Sequence, residues 1–269
     1  MLDLKGKVAV ITGAAGGLGG ETAKALAAQG MVLALWDRDA ARVEKRAEEL
    51  RAAGAKARGF AVDTTDPAAV KRAAAEVEKE LGPVFLLDNN VGVHAWGDLV
   101  ETGEADVRRQ VEVNLCSYIW CTQAFLPGMI ARGEGSVVMI ASAAGLMGVP
   151  GMAVYSATKF AVVGLAESLR HELRRAGADG VRLTIVCPSF IDTGMFAGAK
   201  PPWATPWLSP RETALKIVAA VRRRELYVRE PFMVKLVPLL NALPKPLADV
   251  LSDATGMLRS LAGTSTAGR

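Results

Sequence analysis

The chain has 269 residues, 51% of them hydrophobic and 22% charged, and its 32 Lys and Arg against 28 Asp and Glu give a formal net charge of +4. So apolar a chain can bury a large core and is neither disordered nor collagen-like, and its length suits one large domain. Residues 1–210 carry 22 basic and 23 acidic side chains while residues 211–269 carry 10 and 5, so most of the chain lacks the positive surface of a nucleic-acid binder.

The opening MLDLKGKVAVITG has an apolar run preceded by an acid and followed by a glycine turn, which reads as a first strand instead of a signal peptide. Cys116, Cys121 and Cys187 have no spacing that suits a disulfide framework or a zinc motif. A cytoplasmic protein is the expectation. KVAVIT (7–12) runs into Thr12-Gly13-Ala14-Ala15-Gly16-Gly17-Leu18-Gly19, and ETAKALAAQG follows as a helix. Such glycines let the backbone turn sharply and approach a pyrophosphate at the helix start, which makes Gly13, Gly17, Leu18 and Gly19 cofactor-binding candidates.

The next strand, MVLALWD (31–37), ends at Asp37. A carboxylate there accepts from the ribose hydroxyls of NAD and repels the extra phosphate of NADP, although the adjacent Arg38 can pair with that phosphate, so NAD is preferred over NADP. A helix (41–54), a strand KARGFAV (56–62), a helix (67–82) and a strand PVFLLDN (83–89) follow. Asp63, at the end of the third strand, reads as an adenine contact in a Rossmann geometry, with a helix-capping or turn role as the alternative. Asp88, inside the fourth, needs a partner or a water, because an unpaired buried carboxylate is costly.

Strands GSVVMIA (135–141) and VRLTIVC (181–187) flank a helix over 151–173 that carries Tyr155 and Lys159 four residues apart, on one face. A phenol, with a reference pKa of about 10, becomes a usable base if a neighbouring cation stabilises its phenolate. After Pro188, residues 194–210 carry four prolines and two tryptophans and read as a lid; a helix (210–224) and a short strand ELYV (225–228) come next. The apolar segment 231–251 is broken by Lys235, Lys245, Asp249 and three prolines, far short of the roughly 20 residues of a spanning helix. A helix pair packed on the domain is the preferred reading for the tail, with peripheral contact to anionic lipid as the alternative. Apolar strands separated by helices give an α/β fold, a doubly wound parallel sheet covered on both faces.

TGAAGGLG, NNVG (89–92), Asn114 in VEVNL, Ser142 in MIASAAG, Tyr155-Ser156-Ala157-Thr158-Lys159 and PSFIDT (188–193) stand in the order and spacing of the short-chain dehydrogenase/reductases, which the chain resembles over roughly residues 5–230. The resemblance implies a Rossmann-like sheet of about seven strands in a domain over 1–230, with 231–269 as a C-terminal helical extension. It also implies an NAD cofactor, hydride transfer between an alcohol and a ketone or aldehyde, and a homodimer or homotetramer. In that family's terms Tyr155 takes the hydroxyl proton, Lys159 lowers the tyrosine's pKa and holds the nicotinamide ribose, and Ser142 orients the substrate oxygen. Asn114 holds a water that links Lys159 to solvent, while Asn90, Pro188, Ile191 and Thr193 border the cofactor. Val91 and Ser189 replace the usual Ala and Gly, and the basic, apolar tail replaces the glycine-rich ending common among tetrameric members. The tail distantly resembles that of members acting on retinoids, steroids and other lipids.

His94, Met195, Phe196, Trp203 and Trp207, with Val93 and Trp96, suit an apolar mouth for an aryl, aliphatic or steroid-like alcohol. With His171 the only other histidine, no histidine metal cluster can form. A cofactor-binding sensor or scaffold without turnover is the alternative from another class.

Overall fold

The computed structural model describes residues 1–198, 201–202 and 205–254. Seven strands among them, β1 (Val8–Thr12), β2 (Val32–Asp37), β3 (Lys56–Ala61), β4 (Val84–Asn89), β5 (Gly135–Ile140), β6 (Val181–Pro188) and β7 (Tyr227–Glu230), form one parallel sheet in the order β3-β2-β1-β4-β5-β6-β7. The order reverses between β1 and β4, and that switch point opens a crevice at the carboxyl ends of the strands.

The helices are α1 (Gly17–Ala27), α2 (Ala40–Ala52), α3 (Pro67–Leu81), α4 (Glu104–Val111), α5 (Ser117–Arg132), α6 (Ala153–Arg175), α7 (Pro210–Arg223), α8 (Phe232–Asn241) and α9 (Lys245–Ala254). Alternating residues of each strand feed two core layers. Val8 and Val10 join the layer under α3, α5 and α6, and Ala9 and Ile11 join the one under α1, α2 and α7. Helix starts follow local chemistry. Asp39 caps α2 by accepting from Arg42 N, Asp66 caps α3 by accepting from Ala68 N ahead of Pro67, and Ser209 caps α7 ahead of Pro210. In α1 the cap position is Gly16, which offers no side-chain acceptor, so the first N–H groups remain for a ligand.

Three local features depart from the sequence reading. The last strand begins at Tyr227, two residues later than ELYV suggests, because Arg224 ends α7 in the left-handed region (φ 58) and Glu225 N still donates back to Ala220 O. Between residues 93 and 134, α4 and α5 join through a π-helical turn, Glu112–Cys116. Pro127 lies inside α5, and that helix is apolar on most of its surface, so it shows little periodicity. Third, Asp88 is fully buried, its two carboxylate oxygens have no hydrogen-bond partner among the described residues, and burial pushes its pKa up to about 8.

Candidate active site

A cavity of about 440 Å³ opens at the switch point, lined by the glycine turn after β1, Asp37 and Asp63 on one flank, and Ser142, Tyr155 and Lys159 on the other. Its floor is tight. A Cβ on Gly13, whose φ is +66, would lie 3.0 Å from Val91 Cα, and one on Gly19 would lie 2.5 Å from Gly13 O and 2.6 Å from Asn90 Nδ2. Gly19→Ala is therefore expected to shift this turn and weaken dinucleotide binding by about tenfold or more, read by calorimetric titration with NAD and with NADP. Gly17 stands against Thr193, and Leu18, Pro188 and Ile191 complete the wall. Asn90 Oδ1 is buried with no partner among the described residues, an acceptor of the kind a bound amide or hydroxyl satisfies.

Asp37 is held in place by two backbone donors, Ala15 N on Oδ2 (3.1 Å) and Asp39 N on Oδ1 (3.1 Å). Each oxygen keeps a lone pair for a ribose hydroxyl. Arg38 and Arg42 line the same end, and Arg42 donates to Ala15 O (3.0 Å). Asp63 accepts from both the backbone N–H and the hydroxyl of Thr65, which hold its pKa below the ordinary value.

Thr12 was not a candidate from sequence, yet it organises this end. Its hydroxyl donates to Asp88 O (3.2 Å) and accepts from Asn90 N (2.9 Å) and Val91 N (3.2 Å), while its carbonyl accepts from Asn90 Nδ2 (3.1 Å). β1 and the loop after β4 are thereby fixed to each other. The sequence signal was present: a hydroxyl at the last strand residue before a glycine turn.

α6 carries Tyr155 and Lys159 on one buried face, and Ser142 caps the short turn after β5. Lys159 Nζ donates to Ile140 O (2.8 Å) and lies 5.7 Å from the centre of the Tyr155 ring. Burial pushes Tyr155 up to about 12, opposed by hydrogen bonding with Ser142, and pushes Lys159 down to about 7, opposed by Cys187. The π-helical turn carries Asn114, whose amide accepts from Val93 N (2.8 Å) and donates to Val93 O (2.8 Å) and Thr158 Oγ1 (3.2 Å). Asn114 thus clamps the loop after β4, and one Oδ1 lone pair remains for the expected water.

Over Tyr155 lies an aromatic cluster. Phe196, buried, packs on His94 (4.7 Å between ring centres), Phe190 (5.4 Å), Trp96 (6.1 Å) and Tyr155 (6.1 Å). His94 Nε2 has no partner among the described residues, and burial lowers this ring's pKa to about 4, so the imidazole is neutral at physiological pH. Met195 lines the large cavity, whereas Trp207 is exposed and touches the cluster through Phe190. Trp203 lies outside the described residues. A second cavity, about 50 Å³, adjoins Ser142 and Tyr155 and is walled by Met147, Val149, Met152 and Phe190. Among the described residues no group of His, Cys, Asp and Glu could hold a metal ion.

A family profile described as short chain dehydrogenase matches residues 7–202. The chain is 36% identical over 265 residues to epidermal retinol dehydrogenase 2 of Homo sapiens, a match covering 97% of this chain and 86% of that protein. It is 34% identical over 250 residues to estradiol 17-beta-dehydrogenase 11 of Rattus norvegicus, covering 93% and 84%. Among solved structures, a short chain dehydrogenase/reductase from Burkholderia phymatum in complex with NAD superposes with a TM-score of 0.82 at 32% identity, covering 90% of this chain and 95% of that one. An alcohol dehydrogenase from the archaeon Thermococcus sibiricus, complexed with 5-hydroxy-NADP, superposes with a TM-score of 0.73 at 29% identity, covering 82% and 93%.

Proposed function

The chain belongs to the short-chain dehydrogenase family, and on that premise we propose that it is a cytoplasmic, NAD-dependent oxidoreductase that interconverts a hydrophobic alcohol and its ketone or aldehyde. The observation that carries this reading is the convergence of Ser142, Tyr155 and Lys159 on the wall of a cavity whose opposite end holds a glycine turn and a carboxylate. Bound there, the oxidised nicotinamide would supply a hydride acceptor. The glycine turn, the free N–H groups at the start of α1, and Asp37 would hold the pyrophosphate and the adenine ribose. Lys159 and Thr193 would hold the nicotinamide end.

The chain's own groups then handle the proton. Ser142 orients the substrate hydroxyl, and Tyr155 accepts its proton when ionised. The Lys159 ammonium favours that ionised form. The neutral His94 adds no charge near the reacting carbon, and the aromatic cluster excludes water above it.

The apolar walls of the smaller cavity, and relatives named for retinol and estradiol, support a lipophilic substrate. Asp37 supports NAD. A panel of aliphatic, aryl and steroidal alcohols, each assayed with NAD and with NADP, tests both points. Turnover of apolar alcohols with kcat/KM at least about tenfold higher for NAD is expected; a strong NADP preference overturns the Asp37 argument, and no turnover of any alcohol favours the sensor reading.

A further inference from the structure

We propose that Tyr118 is a positioning residue for the proton-handling pair: it holds the Lys159 ammonium in place and keeps it charged beside Tyr155. Lys159 is 2% exposed, and a buried cation persists only where fixed groups replace its lost water. Among the described residues no carboxylate acts on it. Cys187 of β6 is the titratable group that faces it from the sheet, and burial pushes that thiol up to about 12, so it carries no charge at physiological pH. From the π-helical turn comes the neutral amide of Asn114, across the space above Gly92. What remains is Ile140 O, which accepts from Lys159 Nζ at 2.8 Å, and two aromatic faces. Nζ lies 5.3 Å from the ring centre of Tyr118 and 5.7 Å from that of Tyr155, both within the roughly 6 Å at which a ring attracts a cation.

The sheet explains why α5 delivers a phenol to this point. The register of β4 with β5 ends at Asn89 and Met139, and beyond it the strands part. Carbonyls at such an opening have lost their ladder partners and need other donors. The Tyr118 hydroxyl stands 2.9 Å from Val91 O and 3.1 Å from Ile140 O. Its single proton serves the two in turn, so the hydroxyl is fixed where β4 and β5 diverge and the ring cannot swing away from Nζ. Thr122, one helical turn later, accepts from Asn89 Nδ2 (3.1 Å), which ties α5 to the end of β4 a second time. Tyr118 is fully buried, and burial raises its pKa well above the ordinary value. It is a phenol that stays neutral beside one that ionises.

The use follows from the charge. With one proton removed, the Tyr155–Lys159 pair is either a phenolate beside an ammonium or a phenol beside an amine. Only the first places a cation on the Tyr118 face. Tyr118 thereby favours the form in which Tyr155 is the base, a consequence that rests on the function proposed above.

The test reads the lysine directly. In the full chain carrying Tyr155→Phe, which removes the coupled phenol, lysines isotopically labelled at Cε are titrated by NMR, and the Lys159 signal is identified by its loss in Lys159→Met. Adding Tyr118→Leu removes the face and is expected to lower the Lys159 midpoint by about 0.5 to 1 pH unit, because the charged form loses its support. Tyr118→Phe keeps the face and is expected to leave the midpoint within about 0.3 pH unit. Where the leucine chain fails to fold, pentafluorophenylalanine at position 118 decides the same point. It has the shape of phenylalanine but an electron-poor face that repels a cation, so the midpoint should fall at least as far. A midpoint that stays in place when the face is removed overturns the proposal. A phenylalanine chain displaced as far as the leucine chain assigns the effect to the hydroxyl and also overturns it. The titration needs no substrate, so a midpoint that follows the face in a chain whose Tyr155-containing parent oxidises no alcohol supports this role while refuting the proposed activity. An active parent with an unmoved midpoint refutes the role of Tyr118 alone.

Discussion

Replacing Tyr155 by Phe is expected to lower kcat for alcohol oxidation by about 10³-fold or more, a loss of roughly 4 kcal/mol of transition-state stabilisation, while NAD affinity stays within about twofold. The ring is retained, so its packing on Phe196 and the fold of α6 survive, and only the proton acceptor is removed. Persistence of oxidation at the parent rate would sink the mechanism. The pH profile sharpens the test. Burial pushes the phenol up and the ammonium down, so each group in isolation is biased toward its neutral form. The pair behaves as one unit, however, and a phenolate beside an ammonium holds the same number of protons as a phenol beside an amine. Loss of a single proton from the pair thus creates the base well below the phenol's own range. Oxidation should rise with pH through the neutral region, and Lys159→Met should displace that limb toward the unassisted phenol. His94, lowered to about 4, should add no inflection between pH 5 and 8.

The strands, the glycine turn and the Tyr155–Lys159 face were legible because each depends on short-range pattern: continuous apolar runs, backbone reach at glycine, and the four-residue pitch of a helix. What was not legible depends on contacts distant in sequence. Thr12 matters because its hydroxyl meets Asn90 and Val91, some 78 residues on. Asn114 was expected to hold a water, but its clamp on Val93 requires the π-helical turn, which no spacing rule announces. Phe196 read as one of several residues around an apolar mouth, whereas the lid brings it down onto Tyr155 and His94. For the tail, the break at Pro244 was visible, but Pro238 lies inside α8 and Pro246 inside α9, and which face of each helix stays uncovered was decided by the packing of Val234 and Val237 and of Ala248 and Ser252.

Asp88→Val is expected to stabilise the protein, most strongly at alkaline pH. The side chain lies in register with Ile11 and Val138, both members of the layer under α1, α2 and α7, where valine fits the surrounding chemistry. The sign follows from linkage. Burial raises the folded pKa to about 8 from the ordinary 3.8, so the folded state holds a proton that the unfolded chain releases. Stability is therefore undiminished by this group below about pH 4, falls as pH rises toward 8, and levels off above it. At pH 7 the penalty is roughly 4 kcal/mol. Removing it should raise Tm at pH 7 to 8 by on the order of 10 °C for a chain of this size. The stability difference between variant and parent should widen steadily as pH rises from 5 to 8. Asp88 bonds Thr12 through its backbone carbonyl, which valine keeps, so NAD titration should be unaffected. Parallel pH profiles for parent and variant would show instead that the carboxyl is compensated in the fold, and a loss of NAD binding would tie its side chain to the cofactor end of β4.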